Sequence, residues 1–212
     1  MELINALVES YAVAGSSEED PLLSEISETT RRTHAHSHML SGHLQGKVLE
    51  MISWMVRPRR ILEIGTFTGY SALCLASGLT DDGLLHTIEI REEDARTARS
   101  YFDRSPVGSR IISHVGNALS VLNQLQETWD LVFIDADKTG YIDYFNLVFP
   151  HVRKNGFILA DNVFFHGEAL SEEPRGRNAR AIRAFNEFIT RKKEIEKVIL
   201  TLRDGLCIVR KR

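Results

Sequence analysis

Cysteine is almost missing from this 212-residue chain, which carries only Cys74 and Cys207. They form no C-x-x-C pair, so the two read as buried thiols in a reducing compartment, with no disulfide framework. An excess of one charge is also lacking. The 26 Lys and Arg stand against 29 Asp and Glu, and no basic run exceeds the closing Arg210, Lys211 and Arg212. That balance disfavours broad phosphate-backbone binding, so a nucleic-acid partner is not expected. No apolar run approaches the ~18 residues of a membrane span, and the N-terminus lacks a basic segment followed by an apolar one. A cytoplasmic location with no membrane partner is expected. Repeats and low-complexity segments are absent, and one domain over 1–212 is expected, its helical part ending at residue 57 and its sheet core starting at 58.

What is present begins with RRILEIGTFTGYSALCLASG at 59–78. Ile61, Leu62 and Ile64 form a short apolar run of the kind buried on both faces of a sheet. Gly65 and Gly69 bracket a turn, and a helix rich in Ala, Leu and Ser follows from Tyr70 towards Leu79. A strand, a glycine turn and a helix make the cofactor crevice of an open parallel sheet. The glycine spacing is not G-x-G-x-x-G, and Glu63, read as lying inside the turn, would repel a pyrophosphate. Glu89 ends the next strand, where an acid accepts hydrogen bonds from ribose hydroxyls; its loss is expected to weaken cofactor binding and leave the fold alone. Adenosine bearing a cation and no phosphate suits both acids, which points to S-adenosylmethionine. The competing reading is a generic α/β sheet with an incidental carboxylate.

Ahead of this motif, residues 2–13 carry Leu3, Ile4, Leu7 and Val8 at helical spacing, and a polar helix is expected from Leu22 to His38. His34, His36, His38 and His43 cluster there without the H-E-x-x-H arrangement, so a solvated or capping set is expected and not a metal site. A helix from Leu44 to Val56 halts at Pro58. Strands are expected at 59–64, 84–90, 110–115, 130–135 and 156–161, with helices between them and one more from Asn178 to Lys192. The alternation predicts a doubly wound, mostly parallel seven-stranded sheet of Rossmann-like α/β class. EKVILTL and LCIVRKR, joined by Arg203, Asp204 and Gly205, make the last strand antiparallel.

Two further strand ends carry oxygen ligands. WDLVFIDADK places Asp135 at the end of the fourth strand with Lys138 three residues on, and GFILADN places Asp161 and Asn162 at the end of the fifth. Adjacent strands lie about 4.8 Å apart, so these side chains converge on the crevice. Two carboxylates and an amide suit a hard divalent cation, Mg²⁺ first, then Mn²⁺ or Ca²⁺. The alternative is that Asp135 and Asp161 only cap the following helices. Asp137 reads as a supporting residue or as the cap of the helix beginning near Thr139.

EIGTFTGYS at 63–71, Glu89, GNAL at 116–119, FIDADK at 133–138, ADNVFFHG at 160–167 and the terminal DGL resemble the metal-dependent class I O-methyltransferases related to catechol and caffeoyl-CoA O-methyltransferases, including their small bacterial members. The resemblance implies that Ser41, Glu63, Gly65, Thr66, Ser71, Glu89, Ala118 and Asp135 contact S-adenosylmethionine and that Asp135, Asp161 and Asn162 hold the metal. It implies a catalytic part for Asp135 and for Lys138, which matches the family's candidate base and either takes the phenolic proton or holds the phenolate. A vicinal dihydroxy aromatic small molecule is the expected acceptor, selected by the loop from Glu168 to Arg177, and a homodimer is expected. Three other readings stand beside this one: a nicotinamide oxidoreductase, which needs a glycine pattern the turn lacks; a non-catalytic cofactor sensor; and methylation of a hydroxylated nucleoside in tRNA through Arg175, Arg177, Arg180 and Arg183.

Overall fold

The computed structural model describes residues 3–212. Seven strands form one sheet: β1 (Arg60–Ile64), β2 (Leu84–Glu89), β3 (Ile111–Val115), β4 (Trp129–Ile134), β5 (Val152–Ala160), β6 (Ile195–Leu200) and β7 (Leu206–Lys211). Their order is β3-β2-β1-β4-β5-β7-β6. The first five pair in parallel, while β7 inserts between β5 and β6 antiparallel to both. The expected doubly wound architecture is what the chain adopts. Strand order reverses at β1 and β4, which opens the crevice beyond their carboxyl ends.

The helices are α1 (Ala6–Ala14), α2 (Pro21–Thr33), α3 (His43–Val56), α4 (Tyr70–Ala76), α5 (Glu92–Phe102), α6 (Ala118–Leu122), α7 (Tyr141–Val148) and α8 (Arg177–Arg191). Two apolar cores sandwich the sheet. Leu49, Ile61, Leu75, Phe102 and Phe133 belong to the side of α2 to α5, and Leu62, Ile64, Phe145, Phe185 and Ile189 to the side of α6 to α8. Alternation along β1 sends Ile61 to the first core and Leu62 and Ile64 to the second, so Glu63 faces the helix side of α4. Every residue of α4 is buried, as expected of a helix apolar around its whole circumference and wedged between α3 and the sheet.

Several boundaries differ from the sequence expectation, among them the start of α1, which leaves Leu3 and Ile4 ahead of the helix. Helix α2 stops at Thr33, because His34 turns extended and pairs with Asp94 on α5 at 3.0 Å. Strand β5 begins at Val152, which pairs with Trp129 across a register shift, and Asn155 takes the left-handed backbone that lets the strand run on through Gly156. Helix α4 ends two to three residues early. Three of the histidines contact one another: His34 Nδ1 accepts the His36 amide at 3.0 Å, and the His36 ring packs edge-on against His38, while His34 also packs edge-on against Phe67 and His43 bonds the Ser17 carbonyl at 2.9 Å. Among the described residues no helix is long and apolar enough to cross a membrane.

Candidate active site

Glu63 stands on β1 itself, not inside the turn as the motif suggested, and it is completely buried. Ser71 Oγ, in the first turn of α4, donates to its Oε1 at 2.6 Å, and Thr87 Oγ1, directly opposite on β2, donates to its Oε2 at 2.5 Å. Thr66 meets Thr87 at 2.5 Å, so the Thr66–Thr87–Glu63 hydroxyl chain has one consistent direction when the acid is ionised. Burial pushes the Glu63 carboxyl up from the ordinary 4.5 to about 8, with the negative charges of Asp135 and Glu89 acting the same way against the two hydroxyls. Thr87 was not singled out from sequence. Its place opposite Glu63 comes from the β1–β2 register, which the string of residues does not contain.

The turn after β1 closes against β4. A Cβ on Gly65 would lie 1.9 Å from the Asp135 carbonyl oxygen, and Gly65 has φ near +102°, so no side chain fits either the space or the backbone. Glu89 Oε2 accepts the Phe67 amide at 2.8 Å and its Oε1 accepts the Arg91 amide at 2.9 Å. Glu89 therefore ties the glycine turn to the end of β2, and its removal untethers Phe67, itself in left-handed backbone. The sequence expected Glu89 to serve the cofactor alone; the structure adds these two main-chain contacts. Ala118 opens α6 behind the Asn117 cap, and Ser41 is buried beside the start of α3.

At the ends of β4 and β5 the acids are not helix caps. Asp137 fills that place, accepting the Thr139 amide at 3.3 Å and its hydroxyl at 2.6 Å. Asp135 Oδ1 instead pairs with Lys138 Nζ at 2.8 Å, and the same ammonium donates to Tyr141 Oη at 2.8 Å. Tyr141 is fully buried, and its hydroxyl donates a hydrogen bond to the Asp161 main-chain carbonyl at 3.0 Å. Burial would push the Lys138 ammonium down, but Asp135, Tyr141 and Asp161 outweigh it and hold the group above the ordinary lysine range. Asp161 Oδ1 accepts the Asn162 amide at 2.8 Å and Oδ2 accepts Gln45 Nε2 at 2.6 Å. Burial first, and then the charge of Asp135, raise its carboxyl from 3.8 to about 6. Asn162 has φ near +56°, and so lies in the left-handed turn that leaves the strand.

Among the described residues no three His, Cys, Asp or Glu side chains gather as a metal cage. Two neighbouring carboxylates with an amide next in sequence still fit a hard cation. Each carboxylate has about four acceptor positions, the Asp161 carboxylate uses two, and one lysine leaves the pair with surplus negative charge.

Comparison with known proteins decides the family. The O-methyltransferase family matches residues 13–212. The chain belongs to the O-methyltransferase family. It is 33% identical over 162 residues to the catechol O-methyltransferase of Niastella koreensis, covering 74% of this chain and 73% of the relative. To the caffeoyl-CoA O-methyltransferase of Petroselinum crispum it is 30% identical, covering 91% and 85%. A SAH-bound methyltransferase from Podospora anserina superposes with a TM-score of 0.89 at 29% identity, covering 97% and 94%. The O-methyltransferase TomG from Streptomyces achromogenes, in complex with SAM, also reaches 0.89 at 28% identity, covering 97% and 96%. This O-methyltransferase thus has S-adenosylmethionine as its methyl donor, and the nicotinamide reading falls away.

In this O-methyltransferase the raised Glu63 value has a sign. A carboxyl whose folded value exceeds its unfolded one contributes stability that is complete below pH 4.5 and lost as pH climbs through about 8. Relative to Glu63→Gln, the wild-type chain in the absence of cofactor is expected to lose stability across that window, read as urea midpoints at about pH 5 and about pH 8. A wild-type minus variant difference that stays constant with pH would contradict it.

Proposed function

We propose that this O-methyltransferase moves the methyl group of S-adenosylmethionine onto one hydroxyl of a vicinal dihydroxy aromatic small molecule, with Asp135, Asp161 and Asn162 holding a divalent cation, Mg²⁺ in first place and Mn²⁺ or Ca²⁺ next. The observation that carries the reading is the negative charge at the ends of the paired strands β4 and β5, where Asp135 and Asp161 lie close enough to feel each other's charge and the Lys138 ammonium pairs directly with Asp135 alone. Relatives named catechol and caffeoyl-CoA O-methyltransferase support the acceptor class. When bound, such a cation acts as a Lewis acid that favours the deprotonated form of a hydroxyl.

The chain's own residues supply alignment and charge. Gly65, Thr66 and Ser71 shape the turn that would receive the methionyl part of the cofactor, and the buried Glu63, held towards its protonated form in the free protein, would ionise beside an incoming cation. Glu89 has acceptor positions left for ribose hydroxyls after taking two amides. Ser41, Ala118 and Asp135 complete the cofactor side of the crevice. Lys138 has three N–H donors, of which Asp135 and Tyr141 use two. The third is free for the acceptor oxygen, so Lys138 serves as a fixed positive charge beside the developing phenolate and not as the group that takes its proton. Holding the acceptor in line with the sulfonium methyl does the remaining work.

Acceptor choice is assigned to the loop at 168–177, where Arg177 reaches the Thr139 hydroxyl at 3.3 Å beside Lys138. Methylation of tRNA is the weaker reading. Of its four arginines, Arg177 is engaged there and Arg183 is tied to Glu187 at 3.2 Å and to the Ser171 carbonyl.

With labelled S-adenosylmethionine and a catechol panel, Mg²⁺-dependent methyl transfer is expected, lost in chelator while the cofactor still binds. Asp161→Ala should behave as permanent chelator treatment. Full activity in chelator on a monohydroxy phenol, or transfer to total tRNA in place of catechols, would contradict the proposal. The proposal extends to a cytoplasmic homodimer, supported by α1, which exposes Leu7, Val8 and Tyr11 and buries none of its residues. Light scattering at micromolar concentration should give twice the chain mass, and the mass of a single chain would contradict it.

A further inference from the structure

The turn between β6 and β7 lies far from the glycine motif in sequence yet reaches into the acidic site. Arg203 takes left-handed backbone, with φ near +48°, a conformation that surrounding contacts must hold in place for a residue with a side chain. Its Nη1 donates to the carbonyls of Leu40, at 2.9 Å, and Ser41, and it stands 3.3 Å from Gln45 Oε1. Gln45, on the first turn of α3, is 1% exposed and sends Nε2 to Asp161 Oδ2 at 2.6 Å. The amide has only one chemically sensible orientation. A guanidinium only donates, so the amide oxygen must face Arg203; an ionised carboxylate only accepts, so the amide nitrogen must face Asp161.

We propose that Gln45 is a positioning residue for the Asp161 carboxylate, kept in register by Arg203, and that this Arg203–Gln45–Asp161 chain sets how tightly the acidic site takes a divalent cation. The inference rests on the cation reading of the preceding subsection. A neutral amide suits the task better than a lysine or arginine would. It fixes one carboxylate oxygen with a directional hydrogen bond while leaving the full negative charge for the ion. The Arg203 charge, meanwhile, is spread over two main-chain carbonyls and reaches Asp161 only through the amide. The same carbonyls belong to the segment leading into α3 that carries Ser41, so one turn orders both the cofactor approach and the carboxylate. On the other side of that turn, Asp204 holds the loop after Asn162 by accepting the Phe164 amide on its carbonyl at 2.9 Å and the His166 amide on its side chain at 2.6 Å.

The test titrates Mn²⁺ alone into the full chain and reads free Mn²⁺ by electron paramagnetic resonance, with cofactor affinity and melting temperature measured alongside. Gln45→Met should weaken Mn²⁺ binding by about ten- to a hundredfold, the range for losing a partner of a metal-ligating group. Cofactor affinity in Gln45→Met should change far less than Mn²⁺ affinity. Arg203→Met should shift Mn²⁺ binding in the same direction with some loss of cofactor affinity, since it also releases the Ser41 segment, and Gln45→Asn, too short to reach Asp161, decides the matter if Gln45→Met does not fold. Parental Mn²⁺ affinity in a folded Gln45→Met would overturn the chain, as would a loss of cofactor affinity as large as the loss of Mn²⁺ affinity. Absence of Mn²⁺ binding by the parent protein would instead overturn the cation reading beneath it.

Discussion

Four carboxylates crowd the carboxyl edge of one sheet: Glu63 within β1, Glu89 ending β2, Asp135 just past β4 and Asp161 just past β5. Among the described residues the single ammonium paired directly with them is Lys138, while the Arg91 guanidinium stands 3.9 Å from Glu89. Buried charge of one sign must be satisfied by hydrogen bonds, by proton uptake or by an incoming cation. The free protein uses the first two. Hydroxyls, main-chain amides and Gln45 surround the oxygens, and Glu63 and Asp161 are both pushed towards holding a proton. Under the proposed function, a donor with a sulfonium centre reaching this edge would relieve the same imbalance.

The scaffold supports that edge with strained backbone. Phe67, Asn162, Phe165, His166 and Arg203 are non-glycine residues in left-handed conformation, and all lie in loops at this end. Such residues cost of order 1–3 kcal/mol each and persist only where neighbours over-determine them. Here the neighbours are identifiable. Glu89 fixes the Phe67 amide, Asp161 the Asn162 amide, Asp204 the His166 amide, and the Leu40 and Ser41 carbonyls fix Arg203. The carboxylates that make the site reactive are in part the same groups that hold its loops, so a substitution at Glu89 acts on both at once.

Much of this was legible from residue order. Strands β1 and β4 read clearly because burial on both faces demands mostly apolar runs, broken in β1 by Glu63 alone past Arg60, and the antiparallel end followed from the D-G turn. Asp135, Lys138 and Asp161 were visible because strand ends in a parallel sheet converge whatever the intervening helices do. What escaped local reading was set by distant partners. Helix α2 ends at His34 because of Asp94, sixty residues away, and Gln45 meets Asp161 across 116 residues of separation. Glu63 was placed in the turn since the motif is read as a string; the sheet register, which sets it opposite Thr87, is not contained in that string. Tyr141, three residues beyond Lys138 at helical spacing, was the one supporting residue a local rule would have found.

Crystals grown with Mn²⁺ and S-adenosylhomocysteine, measured near the manganese absorption edge, test the central claim most directly. The expected result is one anomalous peak bounded by oxygens of Asp135, Asp161 and Asn162 at about 2.0–2.6 Å, the range for hard cations on oxygen ligands. A map with no peak there, and with Asp135 still paired only to Lys138 and Asp161 only to Gln45 and Asn162, would contradict it.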